Sequence, residues 1–326
     1  MTRRGILCGG SIMVDVNNVI DRLPPPEELA LILSQTVDTG GPGLNIAVDL
    51  ARLEFGLPIA LVGLVGDDAH GRLVLDTCAG LGIDTGGVAV ANDLATSFTD
   101  VMIERASGRR TFFHCPGANA RLEPAQFDFR GSTARLFHLG APGLHERLDA
   151  PSAAGNGFVE VLARARAAGL RTNLELVCLA PERIRALAMP CLPQLDSIII
   201  NELEAAAITG EDDPLAAARR LIRLGVGELA VVHFRAGCVA AAVDGRSWRQ
   251  GAVRVPAHEV RSSNGAGDAF ASGVVLGLHE GMPIERCLAQ GVCVAAISLT
   301  SLSPSAGIRP LSECLAYGER HGFEAT

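Results

Sequence analysis

The chain has 326 residues, of which 48% are hydrophobic and 20% charged, so it is long and apolar enough to bury a large core. A formal net charge of −8 and an aromatic content of 4% exclude a nucleic-acid partner, because such proteins present basic surfaces and aromatic rings that stack on bases. The sequence also shows neither an apolar run of membrane length nor a signal peptide, so we expect no membrane association. Nine cysteines are scattered singly without metal-ligand spacing, which predicts a reducing, cytoplasmic setting.

The first polar features lie near the N-terminus. A strand is predicted at 5–10, and Asp15 then interrupts an apolar alternating stretch, either as a surface group of an edge strand or as a group directed into a site. The glycine-rich segment Thr39-Gly-Gly-Pro-Gly-Leu-Asn45 leads into a helical pattern. Its glycines would let a ligand approach the backbone closely, and Asn45 can both donate and accept hydrogen bonds. An ordinary glycine-rich turn is the alternative.

A β-hairpin is predicted next, from two alternating segments at 97–104 and 110–115 around a turn at 106–108. Together with strands near Asp15 and at 31–37, this hairpin predicts a small sheet that stands off the main body. We therefore expect a single domain over 1–326 with a discontinuous lid formed by about 12–38 and 96–118.

From residue 136 onward, strands alternate with helices, which predicts parallel βαβ units with helices on both faces of a sheet. Ligands bind such sheets at the carboxyl ends of the strands. Asn201 and Glu204 follow the most apolar strand, so both are predicted at that edge. The alternative is structural, since Asn201 at the N-cap with Glu204 three residues later makes a capping box.

The segment Asn264-Gly-Ala-Gly-Asp268 precedes apolar residues at helical spacing, so a helix should begin at its glycines. Backbone N–H groups at a helix N-terminus form an anion site. A carboxylate beside an anion site indicates a base next to a transferring phosphoryl group. The structural alternative is that Asn264 caps the helix and Asp268 stabilises its dipole.

Three separated segments resemble the PfkB-type, ribokinase-like carbohydrate kinases. Residues 40–51 through 63–71 are similar to the N-terminal signature of that family, Asn201-Glu-Leu-Glu204 fits its N-x-x-E motif, and Asn264–Asp268 fits its G-A-G-D signature. The resemblance covers nearly the whole chain. It implies a three-layer α/β/α fold with a mostly parallel central sheet and a small β lid. It also implies transfer of the γ-phosphoryl group of ATP to a sugar hydroxyl.

The resemblance also implies roles for individual residues. Asp268 is the general base, and the N–H groups of Gly265, Ala266 and Gly267 stabilise the transferring group. Glu204, with Asn201, helps to hold Mg²⁺ and its waters near the phosphates. The sugar hydroxyls are bound by Asp15, Gly41 and Asn45. The nucleotide is contacted by Asn201, His233, Arg235, Gly237 and Asn264.

Three positions depart from the family pattern. Ser262 stands where an aspartate that helps to bind a monovalent cation is usual, so potassium activation is in doubt. Arg235 lies in the nucleotide turn 234–237, where glycine is common. The segment 174–176 replaces an Asp-Pro-Asn motif, with Glu175 as a substitute for its acid.

The predicted activity is an ATP-dependent sugar kinase that acts on an unphosphorylated acceptor. A nucleoside kinase of the same fold is the first alternative, because Phe98, Phe112 and Phe113 of the lid could supply a base pocket. A sugar- or nucleotide-binding regulator without catalysis is the second. The exposed edges of the lid sheet predict a homodimer through the lid.

Overall fold

The computed structural model describes residues 3–301, 303 and 305–325. Its strands are β1 Ile6–Gly10, β2 Met13–Ile20, β3 Ile32–Gly40, β4 Ile59–Gly66, β5 Asp84–Ala91, β6 Phe98–Glu104, β7 Arg110–Cys115, β8 Leu136–Gly140, β9 Pro151–Ser152, β10 Gly155–Asn156, β11 Arg171–Leu174, β12 Ser197–Asn201, β13 Leu229–Phe234, β14 Gly237–Ala242 and β15 Ser247–Gly251.

The α-helices are α1 Pro42–Arg52, α2 Ala69–Gly80, α3 Glu146–Asp149, α4 Gly157–Ala167, α5 Pro181–Ala188, α6 Glu202–Thr209, α7 Pro214–Arg223, α8 Ala266–Glu280, α9 Ile284–Ser298 and α10 Leu311–His321. Short 3₁₀ helices span Gly117–Arg121, Pro124–Gln126 and Met189–Gln194. No helix in the described ranges is long and apolar enough to cross a membrane.

The central sheet has nine strands in the order β15-β14-β13-β12-β11-β8-β1-β4-β5. Every neighbouring pair from β13 through β5 in this order is parallel. The remaining strand β14 pairs antiparallel with both β13 and β15. The parallel majority follows from the strand–helix alternation of the sequence. It brings the carboxyl ends of β1, β8, β11 and β12 to one edge.

Side chains alternate between two buried clusters, one on each face of the central sheet. In β13, Val231 packs into the cluster that contains α1, α8 and α9, whereas Val232 packs into the cluster that contains α4 and α7. Both side chains are fully buried. A strand with both faces covered reads as a continuous apolar run, and the structure has three layers, as predicted.

A second sheet has four strands in the order β3-β2-β6-β7. Its outer pairs, β2–β3 and β6–β7, are antiparallel, and the central pair β2–β6 is parallel. β2, β6 and β7 lie within the two segments predicted for the lid, and β3 extends to Gly40, two residues past the predicted end of the first segment. Leu31, directly before β3, and Ile32, its first residue, are each 56% exposed, so this edge of the sheet presents apolar surface to solvent.

Candidate active site

The helix α8 begins in the glycine-rich segment, as predicted. Gly265 is its N-cap and has φ 76°, a left-handed conformation that favours glycine. No side chain makes a capping hydrogen bond at this helix start. The alternative in which Asn264 caps the helix is therefore wrong. The N–H groups of Ala266 and Gly267 open the first turn of α8. That of Ala266 makes only a long hydrogen bond, 3.4 Å to the carbonyl oxygen of Ser263, and that of Gly267 has no intrahelical partner at this position in an α-helix. They are available to an anion.

Asp268 lies in the first turn of α8 and contacts α1. The side-chain amide Nδ2 of Asn45 donates a hydrogen bond to Asp268 Oδ2 at 2.6 Å. Burial and the neighbouring Glu175 raise the pKa of Asp268 well above its ordinary value. The other amide atom, Asn45 Oδ1, is buried and has no hydrogen-bond partner among the described residues. It is positioned to accept a hydrogen bond from a ligand hydroxyl.

Asp15 reaches the same region from β2 and is half-buried. Burial, the charge of Asp268 and the charge of Asp38 raise the pKa of Asp15 to about 7. Gly40 makes room for this carboxylate, because a Cβ on Gly40 would stand 2.6 Å from the Asp15 carboxyl carbon. Gly41 has φ 93°, and a Cβ there would stand 2.6 Å from the carbonyl oxygen of Ser11. Gly40 thus packs closely against the aspartate, and Gly41 packs closely against the backbone of Ser11.

Two further buried groups adjoin Asp268. Glu175 follows β11, and burial raises its pKa to about 8. Its Oε2 lies 3.1 Å from Nε2 of His138, a fully buried side chain in β8. The sequence had indicated Glu175 only as a substitute acid, and His138 was missed. The signal for His138 was a single polar residue in the otherwise apolar run 136–140.

Asn201 and Glu204 lie at the start of α6 and form the capping box that was considered as their structural alternative. Asn201 Oδ1 accepts from the backbone N–H of Glu204 at 2.9 Å, and Glu204 Oε2 accepts from the backbone N–H of Asn201 at 3.0 Å. Glu204 is only 5% exposed, and burial raises its pKa to about 7. Its charge acts on Asp268, so the carboxylate lies on the side of α6 that faces the site.

The residues around Glu204 fit a magnesium ion that is carried by a nucleotide. Within the described ranges, no group of three or more His, Cys, Asp or Glu side chains could hold a metal. Mg²⁺ in phosphoryl-transfer sites is bound through one or two carboxylates, waters and the phosphates themselves. Glu204 uses Oε2 for the capping box, which leaves Oε1 for a metal-bound water.

A cavity of about 1000 Å³ adjoins the start of α8. Its lining includes the predicted nucleotide residues Asn201, His233, Arg235 and Gly237, together with Ala266, Gly267 and apolar side chains such as Val260, Val292 and Leu299. His233 packs on Phe270 with ring centroids 5.1 Å apart, and burial lowers the pKa of His233 to about 4. The size and apolar wall suit a purine ring, with phosphates directed to α8.

The positions that depart from the family pattern have defined local roles. Ser262 Oγ accepts a hydrogen bond from the backbone N–H of Asn264 at 3.0 Å, so this side chain shapes the turn before α8. Arg235 lies in the turn between β13 and β14 and lines the cavity. On the lid, Arg110 Nη2 lies 3.4 Å from Ser263 Oγ and so brings a positive charge close to the turn that precedes α8.

These features define the class of the protein. A carboxylate beside the first-turn backbone N–H groups of a helix, next to a large apolar cavity at the strand ends of an α/β sheet, is the arrangement of a phosphotransferase.

A model of the pfkB family of carbohydrate kinases matches residues 3–310, and the chain belongs to that family. It is 26% identical to ribokinase from Haemophilus influenzae over 97% of this chain and 99% of that protein. It is 30% identical to fructokinase from Klebsiella pneumoniae over 82% of this chain and 84% of that protein. Arabidopsis thaliana ribokinase, solved with ribose and ATP, has the same fold with a TM-score of 0.80 and 22% identity, over 97% and 99% of the two chains. The chain is therefore a carbohydrate kinase of this family.

Proposed function

We propose that the protein transfers the γ-phosphoryl group of ATP to a hydroxyl of a small, uncharged sugar, with Asp268 as the general base. The observation that carries the proposal is the contact of Asp268 with Asn45 beside the first turn of α8. In support, a buried carboxylate, the unpartnered Oδ1 of Asn45 and the first-turn N–H groups of α8 lie around this contact. The sugar hydroxyl that reacts would lie there.

The chemistry follows from this placement. The acceptor hydroxyl gives its proton to Asp268 while its oxygen forms a bond to the γ-phosphorus. The bond between that phosphorus and the bridging oxygen breaks, and ADP leaves with the electron pair. The N–H groups of Gly265, Ala266 and Gly267 stabilise the negative charge on the transferring group. Asn45 holds the base in place through its Nδ2.

The acceptor would be bound by a row of side chains across the lid sheet. Asp38, Asp15, Thr99 and His114 are successive cross-strand partners on β3, β2, β6 and β7. Cross-strand partners project from the same face, so the row faces Asp268 together with Asp15. Two carboxylates in this row favour a hydroxylated, uncharged acceptor and disfavour a sugar phosphate through like-charge repulsion.

The nucleoside kinase alternative is less well supported. It needs the three lid phenylalanines to form a base pocket, but their register divides them between two faces. Phe112 pairs with Val101 in the row of Asn17, on the face of Asp15, whereas Phe98 is on the other face and packs against His70 with centroids 5.8 Å apart. The inactive-regulator alternative leaves the buried Asp268 without a use.

Mg²⁺ would supply positive charge to the phosphates, and Glu204 would hold one of its waters. Glu204→Gln tests this role, because glutamine at the same position keeps the capping box. We expect the Mg²⁺ concentration for half-maximal activity to rise about 10-fold, with little change in melting temperature. Glu204→Ala serves as the matched variant, since it also loses the cap and about 1 kcal/mol of stability. An unchanged Mg²⁺ requirement in Glu204→Gln would leave Glu204 with the capping role alone.

We also propose a homodimer through the lid. The support is the exposed apolar edge of β3, where a second subunit could bury Leu31 and Ile32. We expect the protein to sediment as a dimer at micromolar concentration and Ile32→Lys to sediment as a monomer. Val243→Lys, at an equally prominent exposed site that is 64% accessible, is the control and should leave the dimer intact. A monomeric parent protein would contradict this proposal.

A cytoplasmic location is supported by the nine free cysteines, most of them buried. The doubt about potassium activation that Ser262 raises stays a prediction from the sequence. The test of the central proposal is product identification by mass spectrometry after incubation with Mg-ATP and a panel of pentoses, hexoses, sugar phosphates and nucleosides. We expect a neutral sugar to gain one phosphoryl group. Phosphorylation of a nucleoside alone, or of a sugar phosphate alone, would contradict the proposed acceptor class.

A further inference from the structure

A row of polar side chains crosses the central sheet directly behind Asp268. His138 in β8, Asn173 in β11 and Ser197 in β12 are successive partners in the parallel ladders. Their exposed fractions are 0%, 0% and 3%. Buried polar groups are costly unless they are hydrogen-bonded, so such a row within an apolar sheet needs an explanation.

The hydrogen bonds of this row have a defined direction. Asn173 Nδ2 donates to Ser197 Oγ at 2.9 Å, so Asn173 Oδ1 is the acceptor for His138 Nδ1 at 2.9 Å. His138 Nδ1 therefore carries a hydrogen. Burial lowers the pKa of His138 to about 4, which leaves its imidazole neutral. The second ring nitrogen, Nε2, must then be an acceptor.

The group that faces His138 Nε2 is Glu175. Its Oε2 lies 3.1 Å from that nitrogen, and the backbone N–H of Glu175 continues the ladder by donating to the carbonyl oxygen of Leu139 at 3.1 Å. Since the ring nitrogen has no hydrogen to donate, the hydrogen of this contact belongs to Glu175. The Glu175 carboxyl group is thus uncharged, with its proton directed away from Asp268.

The charges around the pair favour this state. The charges of Glu204 and Asp49 raise the pKa of Glu175, whereas its hydrogen bond with Asp268 lowers it, and the buried thiol of Cys8 also lies near it. Asp268 in turn feels Asp15, Asp49, Glu204 and His138. Two ionised carboxylates side by side in a buried site repel each other strongly, so one of the two holds a proton.

We propose that His138 and Glu175 position the base: His138 holds Glu175 as an uncharged acid, whose other oxygen accepts the hydrogen bond of Asp268 once Asp268 has taken the acceptor's proton. This inference rests on the proposed function of Asp268. Glu175 and His138 are positioning residues and touch no substrate in this account. Asn173 and Ser197 fix the orientation of the imidazole ring, as partners behind a working histidine commonly do.

Kinetics of matched variants test the uncharged state of Glu175. In Glu175→Gln, the amide N–H can donate to His138 and the amide oxygen can accept from Asp268, so we expect kcat to stay within about 3-fold of the parent value. A loss of about 100-fold would mean that a charged carboxylate is required, and would overturn the proposal. Glu175→Leu lacks both hydrogen bonds and should lose far more activity than Glu175→Gln.

The pH profile tests His138. In His138→Leu, the Glu175 proton is released to bond the Asp268 carboxylate, which makes Asp268 a weaker base. We expect the acidic limb of kcat/KM to move to lower pH by about one unit and kcat to fall about 10-fold. His279→Leu is the control, because His279 is also buried and accepts from the backbone N–H of Gly5 at 2.9 Å, at the other end of α8. It should lose stability without moving the limb. An unmoved limb in His138→Leu would overturn the proposal.

A measurement independent of activity separates this inference from the kinase assignment. Nitrogen-15 NMR of labelled histidine, with His138→Leu used for assignment, should show a neutral ring protonated at Nδ1 from about pH 6 to pH 8. A ring protonated at Nε2, or an imidazolium, would contradict the hydrogen-bond chain. If no acceptor supports turnover, the proposed function fails, while the NMR result still decides the state of His138.

Discussion

Replacement of Asp268 by Asn is expected to lower kcat about 10²–10⁴-fold, the usual contribution of a general base. Asparagine keeps the shape of the side chain and can still pair with Asn45, but it cannot accept a proton from the sugar hydroxyl. The KM for ATP should change little, since the first-turn N–H groups of α8 and the apolar cavity remain. Steady-state kinetics and calorimetric ATP binding measure the two effects separately.

The same substitution has an expected effect on stability. The folded-state pKa of Asp268 is raised above the ordinary value of 3.8, mainly by burial. A proton on this group therefore favours the folded state, and the stabilisation is complete below the ordinary pKa and is lost as pH rises through the raised value. Asparagine does not ionise, so Asp268→Asn should not lose this stabilisation as the pH rises. Its melting temperature should exceed that of the parent protein at about pH 8, and the difference should shrink toward about pH 4. A variant that melts lower at both pH values would contradict the burial of a charge at this site.

Replacement of Asp15 by Asn is the second large expected effect. Asp15 lies between Asp38 and Thr99 in the lid row and acts electrostatically on Asp268, so it is placed to hold a sugar hydroxyl beside the base. Hydrogen bonds to charged groups contribute about 1.5–3 kcal/mol. We therefore expect kcat/KM for the sugar to fall about 10- to 100-fold, with the KM for ATP nearly unchanged.

Asp100→Asn is the matched control for Asp15→Asn. Asp100 is also a lid carboxylate, but it pairs with Val16 and so projects from the opposite face of the sheet. It should leave the sugar kinetics within about 2-fold of the parent values. Equal losses in the two variants would mean that the lid acts through its overall charge or stability, and that Asp15 does not contact the acceptor.

The sequence was sufficient for the fold because its signals were local. Apolar runs separated by helical patterns predicted the parallel sheet, and Gly265 and Gly267 predicted the start of α8. The glycines near Asp15 also gave a usable signal, since Gly40 and Gly41 leave no room for a Cβ. Local patterns of this kind are resolved within a few residues of the chain, so no tertiary information was required.

Contacts between distant segments could not be predicted from such local patterns. The hydrogen bond between Asn45 and Asp268 joins residues 223 positions apart, and the pairing of His138 with Glu175 depends on two strands being neighbours in the sheet. Asn201 and Glu204 show a second limit. Their spacing matched both a capping box and a metal-binding motif, and the structure contains the box while placing Glu204 toward the site.

The most direct test of the central claim is acceptor-dependent ADP release by the purified protein in Mg-ATP, with Asp268→Asn assayed beside it. We expect an uncharged sugar to stimulate ADP release strongly in the parent protein and a sugar phosphate not to do so. The variant should retain ATP binding without the stimulation. Equal acceptor-dependent release by the two proteins would contradict the role of Asp268 as the base.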